Sequence, residues 1–463
     1  MLNNSQTALT STIAAIATPM GRGGVGVIRL SGPNSYQIAL ALTGRQAFKP
    51  RFAHFCRFYD NDDTVIDEGL VLYFPAPHSF TGEDVIELQG HGGMILQQQL
   101  LTRVFELGAN QAVAGEFSAR AFDNDKLDLV QAEAIADAID ATSVAAAKSA
   151  MRSLTGEFSQ KINALLEQLI QLRLYVEAAI DFPDEEGVDF LADEHIAKQL
   201  RQVCEQLNNV LATAKQGQLL RDGVSVVIAG RPNAGKSSLL NRLAGQERAI
   251  VTDIAGTTRD ILQETIVLNG LTLNLTDTAG LRHTDDIVEQ AGIERARQAI
   301  TQADLLLMVY DAHREHEPLR LATELFGSLP NANSILMIAN KIDLSDNHQN
   351  LPKQFSSQEQ IYHPVYVSCK YDTGLEELVN QICDKVGFHP PENSLIARTR
   401  HLDALRRTQM ALQEADEQLH LFHAGELVAE SLRQAQISLN EITGEFTADD
   451  LLGKIFGSFC IGK

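Results

Sequence analysis

The segment Gly230-Arg-Pro-Asn-Ala-Gly-Lys-Ser237 matches the phosphate-binding pattern G-x-x-x-x-G-K-[ST], which is typical of one class of α/β fold. The apolar run Val224–Ala229 before it predicts a buried strand, and Ser237 opens a predicted helix. Glycines in this context let backbone N–H groups surround phosphate oxygens at a helix N-terminus. We therefore expect a nucleotide site in which Lys236 reaches the β- and γ-phosphates and the Ser237 hydroxyl binds Mg²⁺.

Three segments downstream indicate that the nucleotide is a guanine nucleotide. Asp277-Thr-Ala-Gly280 follows a predicted strand, where the aspartate holds Mg²⁺ through water and the glycine N–H contacts the γ-phosphate. Asn340-Lys-Ile-Asp343 follows another, and its Asp343 carboxylate accepts from the N1–H and 2-amino groups of guanine, which adenine lacks. Ser368-Cys-Lys370 ends the last strand and offers a backbone N–H to the guanine O6. The order and spacing of these segments are those of Ras-like GTPases.

The residue that follows Gly280 departs from the Ras-like pattern. Ras-like proteins carry a glutamine there that orients the attacking water, whereas this chain has Leu281. A leucine neither donates to water nor accepts from it, so hydrolysis needs another group. Asp285, Asp286 and Glu289 are candidates, and for each of them a solvated loop carboxylate is the plainer interpretation.

From residue 223 onward, buried-type strands alternate with helical stretches, which predicts a mainly parallel sheet. These strands are expected at residues 224–229, 271–276, 305–310, 334–339 and 363–367. Residues 1–120 have a different pattern, which predicts a small mixed α/β domain. We expect strands there over 12–18, 26–31, 53–59, 69–74 and 84–89, and one helix over 94–107.

Helical patterns occupy the remaining parts of the chain. They run over 131–151, through a segment with apolar residues at helical spacing that ends near Pro183, over 193–218 and again over 399–440. One helical domain interrupted by the α/β insertion is the simpler interpretation, and two separate helical domains are the alternative. The predicted domains are 1–122, 123–222 for the first helical part, 223–385 and 386–463 for the second helical part.

Composition limits the class of protein. With 44% hydrophobic and 21% charged residues the chain is globular, and its net charge of −22 argues against non-specific nucleic-acid binding by the whole molecule. Any RNA must be held locally or with a second protein. The five cysteines form neither a disulfide framework nor a zinc pattern, which favours a reducing compartment. Apolar runs are far shorter than the roughly 20 residues of a membrane span, so we expect a cytoplasmic protein with no membrane partner.

Further motifs resemble one family over essentially the whole chain. The resemblance includes the phosphate loop, Asp253-Ile-Ala-Gly-Thr-Thr-Arg-Asp260, Asp277-Thr-Ala-Gly-Leu-Arg282, the terminal Cys460-Ile-Gly-Lys463, and the N-terminal Gly21-Arg-Gly-Gly-Val-Gly26, Phe80-Thr-Gly-Glu-Asp84 and Gly90-His-Gly-Gly93. Together they are similar to the MnmE (also TrmE) family of tRNA-modification GTPases. Other GTPases share the G-domain motifs, whereas the terminal Cys-x-Gly-Lys together with the N-terminal domain is specific.

The resemblance implies a homodimer with an N-terminal folate-binding and dimerisation domain, a discontinuous helical domain and an inserted Ras-like G domain. It implies modification of carbon 5 of the wobble uridine of certain tRNAs, together with the flavoprotein MnmG. The same resemblance implies that a tetrahydrofolate derivative (5-formyl- or methylene-tetrahydrofolate) binds and supplies the carbon. It also implies that potassium promotes pairing of the G domains, which activates hydrolysis of GTP.

The same resemblance assigns roles in the G domain. K⁺ is held by Asn233, Thr252, Ile254 and Thr257, and Mg²⁺ by Ser237 and Thr258, while Glu289 positions the attacking water and Lys236 and Asn233 assist catalysis. Arg282 is structural in this family, although it also fits an arginine finger. The expected GTP contacts are Asn233, Ala234, Gly235, Lys236, Ser237, Ser238, Thr252, Asp253, Ile254, Ala255, Gly256, Thr257, Thr258, Asp277, Thr278, Ala279, Gly280, Asn340, Lys341, Asp343, Ser368, Cys369 and Lys370.

For folate, the resemblance points to Arg29, Glu87, Lys126 and Lys463. Cations suit the glutamyl carboxylates of the ligand, and a carboxylate suits its aminopyrimidine edge. Glu83 is an alternative to Glu87, and surface ion pairing is the alternative role for the cations. The end-of-chain position of Cys460 suggests an accessible thiol that acts as a nucleophile near the folate, with an ordinary free thiol as the alternative.

Two other functions fit part of the sequence. Ribosome-assembly GTPases share the phosphate loop and the missing glutamine, and they would carry unrelated flanking domains. A folate-binding protein fused to a switch would leave tRNA unchanged.

Overall fold

The computed structural model describes residues 11–19, 21–181, 194–245, 263–277, 299–344, 351–357, 359–390, 394–422, 424–444 and 449–462. The chain divides into two compact units. The first comprises Met1–Ala136, Ser153–Ile196 and Ala411–Lys463, and the second comprises Asp137–Arg152 and Ala197–Met410.

The strands and the α-helices are each numbered in chain order. The strands are β1 (Ile13–Ile16), β2 (Gly23–Ser31), β3 (His54–Tyr59), β4 (Val65–Phe74), β5 (Val85–Gly92), β6 (Asn110–Gln111), β7 (Val224–Ala229), β8 (Gln263–Leu268), β9 (Leu271–Asp277), β10 (Leu305–Asp311), β11 (Ile335–Asn340), β12 (Phe355–Ser357), β13 (Gln360–Tyr362) and β14 (Pro364–Tyr366). The α-helices are α1 (Ser35–Thr43), α2 (Met94–Glu106), α3 (Glu116–Asp123), α4 (Leu129–Asp140), α5 (Val144–Leu154), α6 (Glu157–Asp181), α7 (Glu194–Asp222), α8 (Lys236–Ala244), α9 (Pro318–Phe326), α10 (Leu375–Lys385), α11 (Thr399–Glu417), α12 (Gly425–Thr443) and α13 (Asp449–Gly457).

The first unit contains a sheet of order β3-β4-β5-β2-β1-β6, and each of the five strands predicted there overlaps an observed one. Its pairs are antiparallel except β1 with β6. Side chains alternate between the two faces of a strand. Ile28 and Leu30 therefore enter the main core, and Arg29 between them lies on the opposite face. That second face carries a smaller apolar cluster with Phe117 and Phe80.

The helical regions before and after the insertion come together in the first unit. Helix α6 packs against α12, and Arg173 of α6 donates to the side-chain carbonyl of Gln436 in α12. This packing of residues from before and after the insertion confirms a discontinuous helical domain, while the exact predicted boundaries stay predictions. The helical stretch 131–151 is interrupted between α4 and α5, because Ser143 Oγ accepts from Ala146 N at 3.1 Å and so caps a new helix.

The second unit contains a sheet of order β14-β11-β10-β7-β9-β8, and its pairs are parallel except β8 with β9. The predicted mainly parallel sheet is thus confirmed. Alternate residues of β10 and β11 enter apolar clusters on opposite faces, as a sheet covered on both sides requires. Strand β8 was not predicted. The signal for it was Asn269-Gly270, whose φ values of 51° and 86° close a tight hairpin to β9.

One buried carboxylate joins the two points where the chain enters and leaves the G domain. Asp137 of α4 accepts from Arg221 Nε at 2.8 Å and from Arg398 Nη2 at 2.7 Å. Its side chain is only 4% exposed. Arg221 lies just before β7, and Arg398 lies beyond α10. The ends of the insertion are therefore close together, as a domain inserted into a surface loop requires.

Among the helices in the described part of the chain, none has the length and apolar character needed to cross a bilayer.

The packing of α7 leads to a prediction about Gly217. A Cβ atom there would lie 1.7 Å from the Leu395 carbonyl oxygen, whereas one at Gly453 in α13 would meet nothing within 4 Å. We expect Gly217→Ala to lower the free energy of unfolding by about 1–3 kcal/mol, since an overpacked site must shift. Gly453→Ala, the control, should be neutral or stabilise by up to about 1 kcal/mol. Denaturant unfolding of both variants measures this, and equal effects would contradict the predicted clash.

Candidate functional site

The phosphate loop connects β7 to α8 and depends on two close backbone approaches. Gly235, which precedes α8, has a φ of 100°, and a Cβ there would lie 2.1 Å from Asn340 Nδ2. A Cβ on Gly230 would lie 2.1 Å from the Val309 carbonyl oxygen. Both positions therefore require glycine. The result is a loop held tightly against the ends of β10 and β11.

The side chains of the loop are arranged around an open helix N-terminus. Lys236 Nζ donates to the Gly230 carbonyl at 2.8 Å, which places the ammonium group inside the loop. Ala234 is buried, whereas Asn233, Ser237 and Ser238 are exposed. Asn233 has a φ of 63°, a left-handed conformation that asparagine tolerates better than most residues. Exposed hydroxyl and amide oxygens thus surround the end of α8.

Asn340 connects the phosphate loop with both base loops, the segments Asn340–Asp343 and Ser368–Lys370. Its Nδ2 donates to the Ala234 carbonyl at 3.0 Å, and its Oδ1 accepts from the backbone N of Lys341 at 2.8 Å and of Cys369 at 3.3 Å. The residue is 2% exposed. A buried amide with all these partners holds three loops in fixed relative positions.

Asp343 presents its carboxylate in the loop after β11. Ser368 Oγ donates to Asp343 Oδ1 at 2.6 Å, while the aspartate is half-buried. Cys369 is buried, burial raises the pKa of its thiol, and its carbonyl accepts from Arg242 Nε at 3.1 Å. Lys370 is exposed. The hydrogen bond from Ser368 orients the Asp343 carboxylate, and this geometry suits an acceptor for the N–H groups of a base.

Part of the predicted nucleotide site lies outside the described residues. This applies to Thr252, Asp253, Ile254, Ala255, Gly256, Thr257, Thr258, Thr278, Ala279, Gly280, Leu281, Arg282, Asp285, Asp286 and Glu289. The backbone of Asp277 ends β9, and its side chain also lies outside the described part.

In the first unit, Arg29 and Glu87 form an ion pair between neighbouring strands. They are register partners of β2 and β5, and Arg29 Nη2 lies 2.9 Å from Glu87 Oε1. The guanidinium lies 5.5 Å from the Phe80 ring centroid and 5.9 Å from that of Phe117. Both charged side chains are half-buried. The predicted site thus has a charged pair set between two aromatic rings.

Glu83, the alternative to Glu87, already has strong partners. Both of its oxygens accept from Arg120 Nη1, at 3.1 and 3.2 Å, and Oε2 also accepts from Ser31 Oγ at 2.6 Å. Arg120, 3% exposed, also contacts Glu116 and was missed by sequence reasoning. Because the Glu83 carboxylate belongs to this internal network, Glu87 is the better candidate for a ligand contact.

Lys126 lies beside the loop that carries Phe80. A Cβ on Gly82 would lie 3.0 Å from Lys126 Cε, and Asn124 Nδ2 donates to the Thr81 carbonyl at 2.8 Å. Lys126 also lines a cavity of about 500 Å³ together with Asp123. The same loop therefore contacts Arg29 through Phe80 and Lys126 through Gly82.

The C-terminal tail lies against the same unit. Ile461 forms an antiparallel bridge with Ala114, and the Cys460 carbonyl accepts from Gly115 N at 3.4 Å. Gly462 has a φ of 96°, and a Cβ there would lie 2.5 Å from the carbonyl oxygen of Ile16 at the end of β1. Cys460 is exposed, whereas Cys56, Cys369 and Cys383 are buried and Cys204 is half-buried. Lys463 lies outside the described residues.

The fold and the loops define the class of protein. The structure has the parts of a P-loop GTPase: a mainly parallel sheet, a phosphate loop at the N-terminus of α8, and base loops after β11 and β14. Within the described residues, no group of three or more His, Cys, Asp or Glu side chains could hold a metal ion by itself.

Comparison with known proteins identifies the family. The model described as "MnmE helical domain" matches residues 129–460, and that described as "GTP-binding protein TrmE N-terminus" matches residues 12–126. The tRNA modification GTPase MnmE of Psychrobacter arcticus is 73% identical over 100% of this chain and 98% of its own length. Its counterpart from Acinetobacter baumannii is 62% identical over 98% of each chain, and that from Pseudomonas aeruginosa is 56% identical over 98% of this chain and 100% of its own. The chain belongs to the MnmE family of tRNA modification GTPases.

The orientation of Asp343 leads to a prediction about base specificity. In Asp343→Asn the carboxylate acceptor becomes an amide that donates to the 2-carbonyl group of xanthine. We expect the ratio of GDP to xanthosine diphosphate affinity to fall about 100-fold or more, because buried polar groups discriminate strongly against an unpaired partner. Calorimetric titration with both nucleotides measures the ratio. Asp403→Asn, which alters an exposed pair with Arg406, is the control. An unchanged ratio in Asp343→Asn would contradict the proposed base contact.

Proposed function

We propose that this GTPase uses the free energy of GTP hydrolysis to drive modification of carbon 5 of the wobble uridine in certain tRNAs, in complex with the flavoprotein MnmG. Membership of the MnmE family supports the tRNA substrate. The observation that carries the proposal is the docking of the Cys460 tail on the sheet that bears Arg29 and Glu87. It places an exposed thiol in the same compact unit as the charged pair.

The residues of this unit fit a tetrahydrofolate derivative, 5-formyl- or methylene-tetrahydrofolate. The Glu87 carboxylate suits the N–H donors of an aminopyrimidine, and the two aromatic rings beside Arg29 suit a flat heterocycle. Arg29, Lys126 and Lys463 suit the carboxylates of the glutamyl tail. When bound, the folate supplies the one-carbon unit. The chain itself orients the ligand and presents Cys460 as a nucleophile.

GTP hydrolysis in this proposal depends on cations that supplement the phosphate loop. Mg²⁺ would be held by Ser237 and Thr258, and K⁺ by the side-chain carbonyl of Asn233 together with the backbone oxygens of Thr252, Ile254 and Thr257. The exposed Asn233 at the open side of the loop fits this role. Positive charge beside the β–γ bridge stabilises the transition state.

In this proposal, hydrolysis is activated when two G domains pair in the presence of K⁺. Glu289 positions the attacking water, because Leu281 stands where Ras-like proteins carry the water-orienting glutamine. Lys236 contacts the phosphates from inside the loop.

The assembly we propose is a cytoplasmic homodimer joined through residues 1–122. The helical parts 123–222 and 386–463 flank the G domain 223–385. The net charge of −22 leaves few places where tRNA phosphates are attracted. We therefore expect a small tRNA footprint on this subunit and more extensive contacts with its partner.

The alternative of a ribosome-assembly GTPase with unrelated flanking domains is wrong. Residues 12–126 match the TrmE N-terminal model, and 129–460 match the MnmE helical model. Both flanks thus belong to the same family as the tRNA modification GTPases.

Nucleoside mass spectrometry of bulk tRNA tests the proposal. In cells that lack this protein, we expect the modified wobble uridine to disappear and to return with the wild-type chain. It should stay absent with Asp277→Ala, which removes the proposed Mg²⁺ contact, and with Cys460→Ser, which removes the nucleophile. Cys204→Ser, at a half-buried thiol elsewhere, is the control and should restore it. Unchanged nucleosides in the deletion strain would refute tRNA modification, and full restoration by Cys460→Ser would refute the nucleophile.

Folate binding by the full-length protein tests the Arg29 assignment. Arg29→Gln should weaken binding of 5-formyl-tetrahydrofolate about tenfold or more, since a charge-assisted hydrogen bond is lost. Arg57→Gln is a matched control, because Arg57 and Glu68 are also register partners but are exposed, with 3.6 Å between their charged atoms. Calorimetric titration measures both. Equal losses in the two variants would contradict a direct contact with Arg29.

A further inference from the structure

Asp311 ends β10 beside the start of the base loop and forms an ion pair with Lys341. The two strands are in register there, with Asp311 opposite Asn340. Lys341 Nζ lies 2.9 Å from Asp311 Oδ2, and the side chains are 30% and 12% exposed. Lys341 has a φ of 64°, so its backbone is in the left-handed region. The pair therefore joins the ends of two neighbouring strands at the edge of the proposed guanine site.

The Asp311 carboxylate is itself held in one orientation. Its Oδ1 accepts from His313 N at 3.0 Å, and its backbone carbonyl accepts from Arg314 N at 3.1 Å and Glu315 N at 3.0 Å. Burial raises the pKa of Asp311, but the hydrogen bonds from Lys341 and His313 N hold it below the ordinary value. Asp311 is therefore a charged, pre-oriented acceptor for the lysine ammonium.

Two lysines flank the Asp343 carboxylate along the base loops, and each has another partner. Lys341 binds Asp311, and Lys370 Nζ lies 5.0 Å from the centroid of the Tyr371 ring. The hydrogen bond to Tyr371 raises the pKa of Lys370, and the charge of Asp343 makes a smaller contribution. Asp343 is therefore within the electrostatic reach of the Lys370 ammonium group, although its Oδ1 accepts from Ser368.

We propose that Asp311 is a positioning residue for guanine recognition: it holds the Lys341 ammonium away from Asp343, so that the Asp343 carboxylate stays free for the base. This inference rests on the proposed role of Asp343. Lys341 is two residues from Asp343, and its four-methylene stem is long enough to bring the ammonium to that carboxylate. Without Asp311, an internal ion pair would compete with the N1–H and 2-amino groups of guanine.

The physical basis is competition for a single acceptor. An ammonium and a carboxylate on one loop attract each other strongly where water is partly excluded, and salt screens that attraction. A fixed carboxylate on the neighbouring strand removes the lysine from this competition. Removal of the Asp311 carboxylate should therefore weaken guanine-nucleotide binding more at low ionic strength than at high ionic strength.

The first measurement is the GDP affinity of the full chain with Asp311→Asn. The amide keeps the shape of the side chain and removes its charge. We expect GDP binding to weaken about tenfold at low salt and by a smaller factor at high salt. Glu317→Gln is the matched control, since Glu317 pairs with exposed Arg320 further along the same loop. An unchanged GDP affinity in Asp311→Asn would overturn the inference.

The second measurement separates positioning from a merely structural role. In an Asp343→Asn background the carboxylate for which Lys341 would compete is absent. Asp311→Asn should therefore leave the affinity of Asp343→Asn for xanthosine diphosphate within about twofold of its starting value. The same loss in both backgrounds would mean that Asp311 only stabilises the fold, and it would overturn the inference. Failure of Asp343→Asn itself to gain xanthosine diphosphate affinity would instead refute the proposed base contact.

Discussion

The nucleotide site depends on one buried amide. Asn340 donates to the phosphate loop at Ala234 and accepts from the backbone of both base loops, at Lys341 and Cys369. Each of these loops follows a different strand of the same parallel sheet, so the amide joins strand ends that no covalent bond connects. Losing one of these partners would leave a buried polar group unsatisfied, at a cost of about 1–3 kcal/mol. Within the described residues, these three loops are thus held in position by the protein itself.

A second buried polar side chain, the Asp137 carboxylate, connects the two ends of the G domain. Asp137 is almost completely buried and accepts from Arg221 and Arg398, which lie where the chain enters and leaves the insertion. A buried carboxylate is costly unless it is paired. The pairing therefore favours the arrangement in which both crossings are close together. Asn340 fixes the relative positions of the loops of the nucleotide site. Asp137 fixes the relative positions of the two ends of the domain that contains this site.

In the first unit, side chains alternate between the two faces of each strand, so charged residues that lie between apolar ones in the sequence face away from the core. Arg29 and Glu87 face away from the main core, next to Phe80 and Phe117, because their neighbours Ile28 and Leu88 face into it. The C-terminal tail contacts this unit at two points: Ile461 forms an isolated bridge with Ala114, and Gly462 lies against the carbonyl oxygen of Ile16 in β1. These contacts bring an exposed thiol to the unit that bears Arg29 and Glu87.

Local patterns in the sequence predict the phosphate loop, the guanine motifs, most strands of both sheets and the helical regions. These depend on residues close in the chain, so their patterns are readable. Which partner each carboxylate takes depends on the tertiary structure: Glu87 pairs with its register partner Arg29, whereas Glu83 is held by a residue of another element. Glu83 and Glu87 look equivalent in sequence, but Arg120, 37 residues further along the chain, occupies the first. Asp311 meets Lys341 across 30 residues. Such pairings depend on which segments of the chain become neighbours in the fold, and no local pattern encodes that.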